Sequence, residues 1–192
     1  MNLKIKTAPA SLPVTTADMK LHLRVDQSAD DTLIDILVGG AMEKAETETQ
    51  RALITQTWYM YLDGFPLCTY FYLPKPPLQS VTSIKYNDVD GAEQTLSTSV
   101  YGVDKQNGVA SRIYLKENQS WPDTEGQPDS VTIEFVCGYG VASAIPKSII
   151  AGIKLLVGHW YENREAVTEG ARAELPMAVD SLFTNNRAHQ IF

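Results

Sequence analysis

The sequence predicts an α+β fold: a helical bundle, built from N-terminal helices plus a long C-terminal helix, that carries an inserted small antiparallel β-module. Two periodicities predict it. In residues 146–167, Ile149, Ile150, Ile153, Leu156, Val157, Trp160 and Tyr161 recur at three- and four-residue steps, which gathers them on one side of a helix. From Ile54 the period falls to two, and short apolar runs alternate with Gly, Pro and Asp clusters up to Gly140. About six short strands lying between two helical regions read as a β-module set into a helical frame.

Taken in order, residues 1–13 read as an extended lead-in. Thr15 and Thr16 ahead of Asp18 start a short helix to about Leu23, because a threonine oxygen accepts from the orphan N–H groups of a first turn. Ser28 and Asp31 have the spacing of a capping box, with acids suited to the positive end of the helix dipole. The helix they open carries Leu33, Ile34, Ile36, Leu37, Ala41 and Ala45, and runs to about Arg51. Gly39 and Gly40 cost it about 1 kcal/mol each relative to Ala. Close helix packing is the plain explanation, and a kink or a subunit contact the sharper one.

Next, Ile54, Gln56, Trp58, Met60 and Leu62 alternate with Thr55, Thr57, Tyr59 and Tyr61 as a strand ending at Asp63-Gly64. Further strands are expected at 70–73, 81–87, 93–96, 112–116 and 131–137, with 88–91 as a hairpin turn. Pro146 suits a first helical turn, where its missing N–H is no loss. Near the end, 175–183 has the pattern of a short helix whose Val179, Leu182 and Phe183 share a face. The organisation is therefore a lead-in at 1–13, a helical frame at 14–53 and 145–168, an inserted β-rich module at 54–144, and a closing segment at 169–192.

Composition narrows the function classes. A chain of 192 residues buries roughly 70% of its unfolded surface, enough for a sizeable core. Residues 1–13 lack the continuous apolar core of a signal peptide. Lys147 and Lys154 interrupt the most apolar stretch, so no membrane span and a cytoplasmic setting are expected. Cys68 and Cys137 lack metal-type spacing, and free thiols fit a reducing compartment. The net charge is −7, and residues 54–144 hold 5 Lys and Arg against 10 Asp and Glu. Without a basic block or a basic–aromatic stripe, tight phosphate binding is not expected.

Motifs for chemistry are sparse. His22, His159 and His189 belong to no H-E-x-x-H pair or Cys/His cluster, so no metal or cofactor is expected. His159 beside the apolar stripe reads as a packed or interface residue rather than a base. Asp88, Asp90 and Glu93 lack the remaining ligands of a calcium loop and read as a solvated turn. Gly138-Tyr139-Gly140 is too short for a dinucleotide fingerprint, and no Ser sits in a nucleophile elbow. Trp58, Tyr59, Tyr61, Tyr70, Phe71 and Tyr72 form either a cross-strand core or a stacking face for a sugar or base. No enzyme signal stands above background.

Several stretches in order carry a resemblance: VTTADMKLHLRVD (14–26), RALITQTWYMYLDGFP (51–66), LPKPPLQSVTSIKYNDVDG (73–91), SWP (120–122), GYG (138–140), LLVGHWYENREAV (155–167) and ELPMAVDSLF (174–183). Together they resemble the head–tail connector, or head-completion adaptor, family of long-tailed bacteriophages, prophages and gene transfer agents. The resemblance implies a non-enzymatic structural protein without cofactor, assembled in the bacterial host cytoplasm and placed in the virion neck. It implies self-association into a ring beneath the portal protein, commonly twelve-fold, that meets tail-completion or stopper proteins. Double-stranded DNA passes through such a ring without sequence-specific binding, and no membrane is involved. At −7 per chain, twelve copies carry about −80 formal charges, which suits a conduit along which DNA slides.

Two groups of residues are candidates on that footing. Leu175, Met177, Val179, Leu182, Phe183, Ile191 and Phe192 form a candidate docking face for the portal or another partner in the C-terminal segment 169–192. The alternative is that Val179, Leu182 and Phe183 fold back on their own subunit. Trp160, Tyr161 and Arg164 form a candidate inter-subunit helix face, since ring closure needs one patch to meet a different patch on the neighbour. A small-ligand or glycan-binding protein built on the aromatic β-region is the competing class.

Overall fold

Eight strands and four helices make up the computed structural model, which describes residues 1–105, 111–163 and 174–188. The strands are β1 (Asn2–Thr7), β2 (Gln56–Leu62), β3 (Tyr70–Leu73), β4 (Leu78–Asn87), β5 (Glu93–Thr95), β6 (Tyr101–Asp104), β7 (Ser111–Leu115) and β8 (Val131–Cys137). They form a five-stranded sheet in the order β1-β2-β8-β4-β5 and a three-stranded sheet in the order β3-β7-β6. Every pairing is antiparallel.

β8 shows why the sheet holds its register. Val131, Ile133, Phe135 and Cys137 are buried, while the residues between them are half-exposed. That period of two gives one apolar face. Ile133 lies opposite Met60 of β2 and Ile84 of β4, and all three are fully buried. A one-residue slip would turn this set outward, and each such side chain contributes about 1.5–3 kcal/mol by burial. On the other face Glu134 accepts from Lys6 Nζ at 2.7 Å, and Lys85 Nζ donates to Glu93 at 2.7 Å.

The helices form a second unit, spanning Ala10–Ile54 and Tyr139–Arg187, with its own core. They are α1 (Thr16–Leu23), α2 (Asp31–Thr49), α3 (Lys147–Glu162) and α4 (Glu174–Thr184). Met19, Ile34, Val38, Ala45, Ile149, Ile153, Val157, Val179 and Phe183 meet in this core. Thr15 caps α1, accepting from Asp18 N–H at 3.1 Å and donating to the Asp18 carboxylate at 2.8 Å. At α2 the cap is Asp30 rather than Ser28, and Asp31 instead accepts from Lys20 at 2.8 Å. Arg24 and Gln50 close α1 and α2 in the left-handed conformation. At Gly40 a Cβ would stand 3.6 Å from the Trp160 ring, an ordinary van der Waals contact that would admit an alanine, so helix packing does not require this glycine. Nothing lies within 4 Å of the Cβ position at Gly39.

The expected helical bundle with a small inserted β-module is therefore corrected to a sheet-rich α+β fold. The strand-bearing unit is no small insert, since it takes in Met1–Pro9 as well as Thr55–Gly138. Three strands depart from the sequence expectation. Leu3 and Ile5 alternate with Lys4 and Lys6 in the expected lead-in, and this segment is the edge strand β1. β4 begins at Leu78, three residues before the expected start. β6 carries Gly102 and only four residues, so propensity hid it, and its pairing with β7 supplies the order.

Candidate functional site

Three loops at the ends of strands in the β unit converge on an exposed apolar surface. The loop after β2 begins Asp63-Gly64-Phe65-Pro66-Leu67-Cys68, a sequence whose Gly and Pro stop the strand. The turn between β4 and β5 is Asp88-Val89-Asp90-Gly91, with Gly91 at φ 78°. Such a φ favours glycine because it lacks a Cβ. The third loop precedes β8 and contains Trp121. Leu115, Trp121 and Val89 line one groove with Phe65 and Leu67, which fixes the three loops as neighbours.

Specific contacts tie them together. Trp121 stacks on Phe65 with centroids 5.0 Å apart and planes 2° from parallel, and its Nε1–H donates to the Cys68 carbonyl at 2.9 Å. Phe71 touches the same indole at 5.6 Å. Asp129 N–H donates to Asp63 at 3.1 Å, and Asn87 Nδ2 donates to Glu125 at 2.7 Å. These contacts hold a ridge whose crest, Leu67, is wholly exposed at 109%. Leu67 lines an open groove of about 670 Å³, and a second of about 430 Å³, lined by Leu62, Phe71 and Tyr72, adjoins it through Gly64, Pro66 and Cys68.

Electrostatics support the turn. The Asp88 carboxylate accepts from Gln94 Nε2, Ala92 N–H and Asp90 N–H, and these bonds hold its pKa below the ordinary 3.8. The turn is thus built by side-chain capping of its own backbone. Lys6 is held above its ordinary value by the hydrogen bond to Glu134, and Lys85 by the one to Glu93.

The aromatic residues picked from sequence do not form one platform. Tyr59 and Tyr61 sit on one face of β2 with centroids 6.1 Å apart, whereas Trp58 lies opposite Phe135 and carries Lys75 Nζ over its ring at 4.7 Å. Tyr70 and Tyr72 meet edge-on at 5.6 Å in the other sheet. Leu67, Phe65, Val89 and Trp121 were not singled out together from sequence. Their signal was an apolar Phe-Pro-Leu inside a turn, where polar residues are the rule.

In the helical unit, Val179 and Phe183 are buried within the core of that unit, and Leu182 is half-buried. Leu175 and Met177 lie in α4, with side chains outside the described residues. Arg164, Ile191 and Phe192 also lie outside the described residues. Trp160 is half-buried beside Gly40, and Tyr161 donates its hydroxyl to Asp30 at 2.5 Å. His159 is half-exposed and packs with Asn163, whose Nδ2 donates to the His159 carbonyl at 2.8 Å. Burial pushes the Tyr139 phenol up in pKa, against the nearby Arg51. Cys68 is exposed and Cys137 is buried. Among the described residues, no group of three or more His, Cys, Asp or Glu is placed to hold a metal ion, and no helix is long and apolar enough to cross a membrane.

Residues 14–108 match the family model described as phage gp6-like head-tail connector protein. Chains in solved structures of gene transfer agent particles match end to end, each over 100% of this chain and 98% of theirs. Residues 14–108, just under half of the chain, are thus similar to the phage gp6-like head-tail connector family. One structural neighbour of this chain comes from the neck of an empty gene transfer agent particle computed with C6 symmetry, at a TM-score of 0.83 and 24% identity. A second is from the virion of the native particle, at 0.83 and 25%. A third is from the neck of the native particle computed with C12 symmetry, at 0.79 and 25%. No curated protein matches this sequence.

Proposed function

We propose that this chain is a structural connector in the neck of a phage-like particle, one subunit of a ring that joins head to tail and leaves a channel for DNA. The carrying observation is the end-to-end likeness of both units to proteins of gene transfer agent necks, with the connector family model on 14–108. In this reading the portal protein lies on one side and a tail-completion or stopper protein on the other, and the chain makes or breaks no covalent bond. Two folded units, a helical one and a sheet-rich one, supply two kinds of surface for such contacts. Heterologous contacts between identical subunits close a ring when the rotation between neighbours divides the circle. Deleting the gene tests the reading. DNA-filled heads without tails, or heads that leak DNA, are expected; normally tailed, DNA-retaining particles would refute it.

The C-terminal segment 169–192 is proposed to dock on a neighbouring neck protein. Sequence supports this: Leu175, Met177, Ile191 and Phe192 are apolar residues spread along a segment with few other anchors. Because Val179 and Phe183 are committed to the helical core, the docking residues in this proposal are those outside that pair. Removing 189–192 spares α4 and separates docking from folding. Normal portal attachment by that truncated protein would count against a role for Ile191 and Phe192.

A further inference from the structure

We propose that the apolar ridge at Leu67, with the groove it lines and the one adjoining it, docks a segment of a different protein in which an apolar anchor is flanked by lysine or arginine. This rests on the connector reading only for where the partner is found, namely in the assembled particle. Apolarity and charge carry the argument. Leu67 is 109% exposed and Val89 67% exposed, and neither has a folding reason to be apolar there. Exposed large apolar side chains clustered beside grooves mark interaction sites. The ridge is held from beneath by the Phe65–Trp121 stack and the Trp121–Cys68 hydrogen bond, so it meets a partner preorganised.

The rim selects the partner. Loops 63–69, 88–91 and 117–129 hold seven acidic residues, Asp63, Asp88, Asp90, Glu117, Asp123, Glu125 and Asp129, and no lysine or arginine. Asp63, Asp88 and Glu125 are engaged in holding the loops. Asp90 and Asp123 are exposed, and Asp123 lines the same groove as Leu67. Such a rim attracts a basic segment and repels an acidic one. The corresponding loops of a second copy carry the same seven acids, so like charge disfavours pairing this patch with itself.

The test places a photo-crosslinking side chain at the crest, Leu67→p-benzoylphenylalanine, in particles carrying the full chain, and identifies the captured peptide by mass spectrometry. A peptide from another virion protein, apolar with flanking Lys or Arg, is the expected result. Capture of a second copy, capture of a peptide without basic flanks, or no crosslink in particles with intact necks overturns the proposal and leaves the connector reading standing. A solution arm uses the purified chain and a labelled peptide in which Leu-Trp-Leu is flanked by lysines. Leu67→Ser is expected to weaken its binding by about tenfold, the worth of one leucine side chain moved from water. Asp90→Asn with Asp123→Asn is expected to reduce the salt dependence. If Leu67→Ser leaves binding unchanged, the lysines alone hold the peptide and the ridge is no docking site.

Discussion

Gly152 of α3 packs closely against Phe183 of α4, and a double-mutant cycle tests the contact. A Cβ at Gly152 would stand 2.6 Å from Phe183 Cε1, 3.1 Å from Cζ and 3.2 Å from Cδ1. Phe183 is 0% exposed, so its ring has nowhere open to go. In an unconstrained helix, Gly→Ala gains about 1 kcal/mol of intrinsic propensity. Here overpacking costs about 1–3 kcal/mol, so Gly152→Ala should show a net loss near about 1 kcal/mol. Phe183→Ala alone should cost about 3–5 kcal/mol through the cavity it leaves. With the ring gone the clash vanishes, and Gly152→Ala in that background should stabilise by about 1 kcal/mol. Denaturant unfolding followed by circular dichroism measures the four proteins, and native-state hydrogen exchange localises the change to α3 and α4. If Gly152→Ala stabilised the wild type as much as it stabilised the Phe183→Ala protein, the close packing of α4 on α3 would be refuted. The result bears on function, because it measures how firmly α4 is held before any partner binds.

Three further outcomes are expected. Thr15→Ala removes the α1 cap and should cost about 1 kcal/mol, with Thr15→Ser restoring most of it in the same melt. The Asp88 pKa is depressed by Gln94, Ala92 and Asp90, so its contribution is present above the ordinary 3.8 and is lost as pH falls through the lower folded value. Asp88→Asn should therefore flatten the acid dependence of the 88–91 turn, read from the amide shifts of Gly91 and Gln94. An unchanged acid profile would show that the carboxylate does not hold the turn. In the native protein Cys68 should react with an aromatic disulfide reagent while Cys137 reacts only on unfolding. Equal reactivity would contradict the burial of Cys137 at the end of β8.

Some of the fold was legible because it is written in local chemistry. The α1 cap at Thr15, the strand at 131–137 and the turn at 88–91 needed only a hydroxyl, a period of two and an Asp-Gly pair. The Ser28 capping box shows the limit of such reading. Asp30, not Ser28, stands at the cap position and makes no side-chain cap bond, while Tyr161 of α3 donates to its carboxylate and Lys20 of α1 to that of Asp31. The aromatic run around Tyr70 and Tyr59 was legible as strand but not as arrangement, since facing depends on which sheet each strand joins.

By itself, the sequence determined the helices, most of the strands, the acidic balance and the family resemblance, because these depend on neighbours a few residues away or on ordered motifs. Tertiary structure alone decided that β1 closes the edge of a five-stranded sheet, that Phe183 sits against Gly152, and that Leu67, Val89 and Trp121 share one surface. Those residues are separated by tens of positions in the chain. Local preference carries no information about which distant loops meet, and only antiparallel pairing of the strands between them brings the loops together.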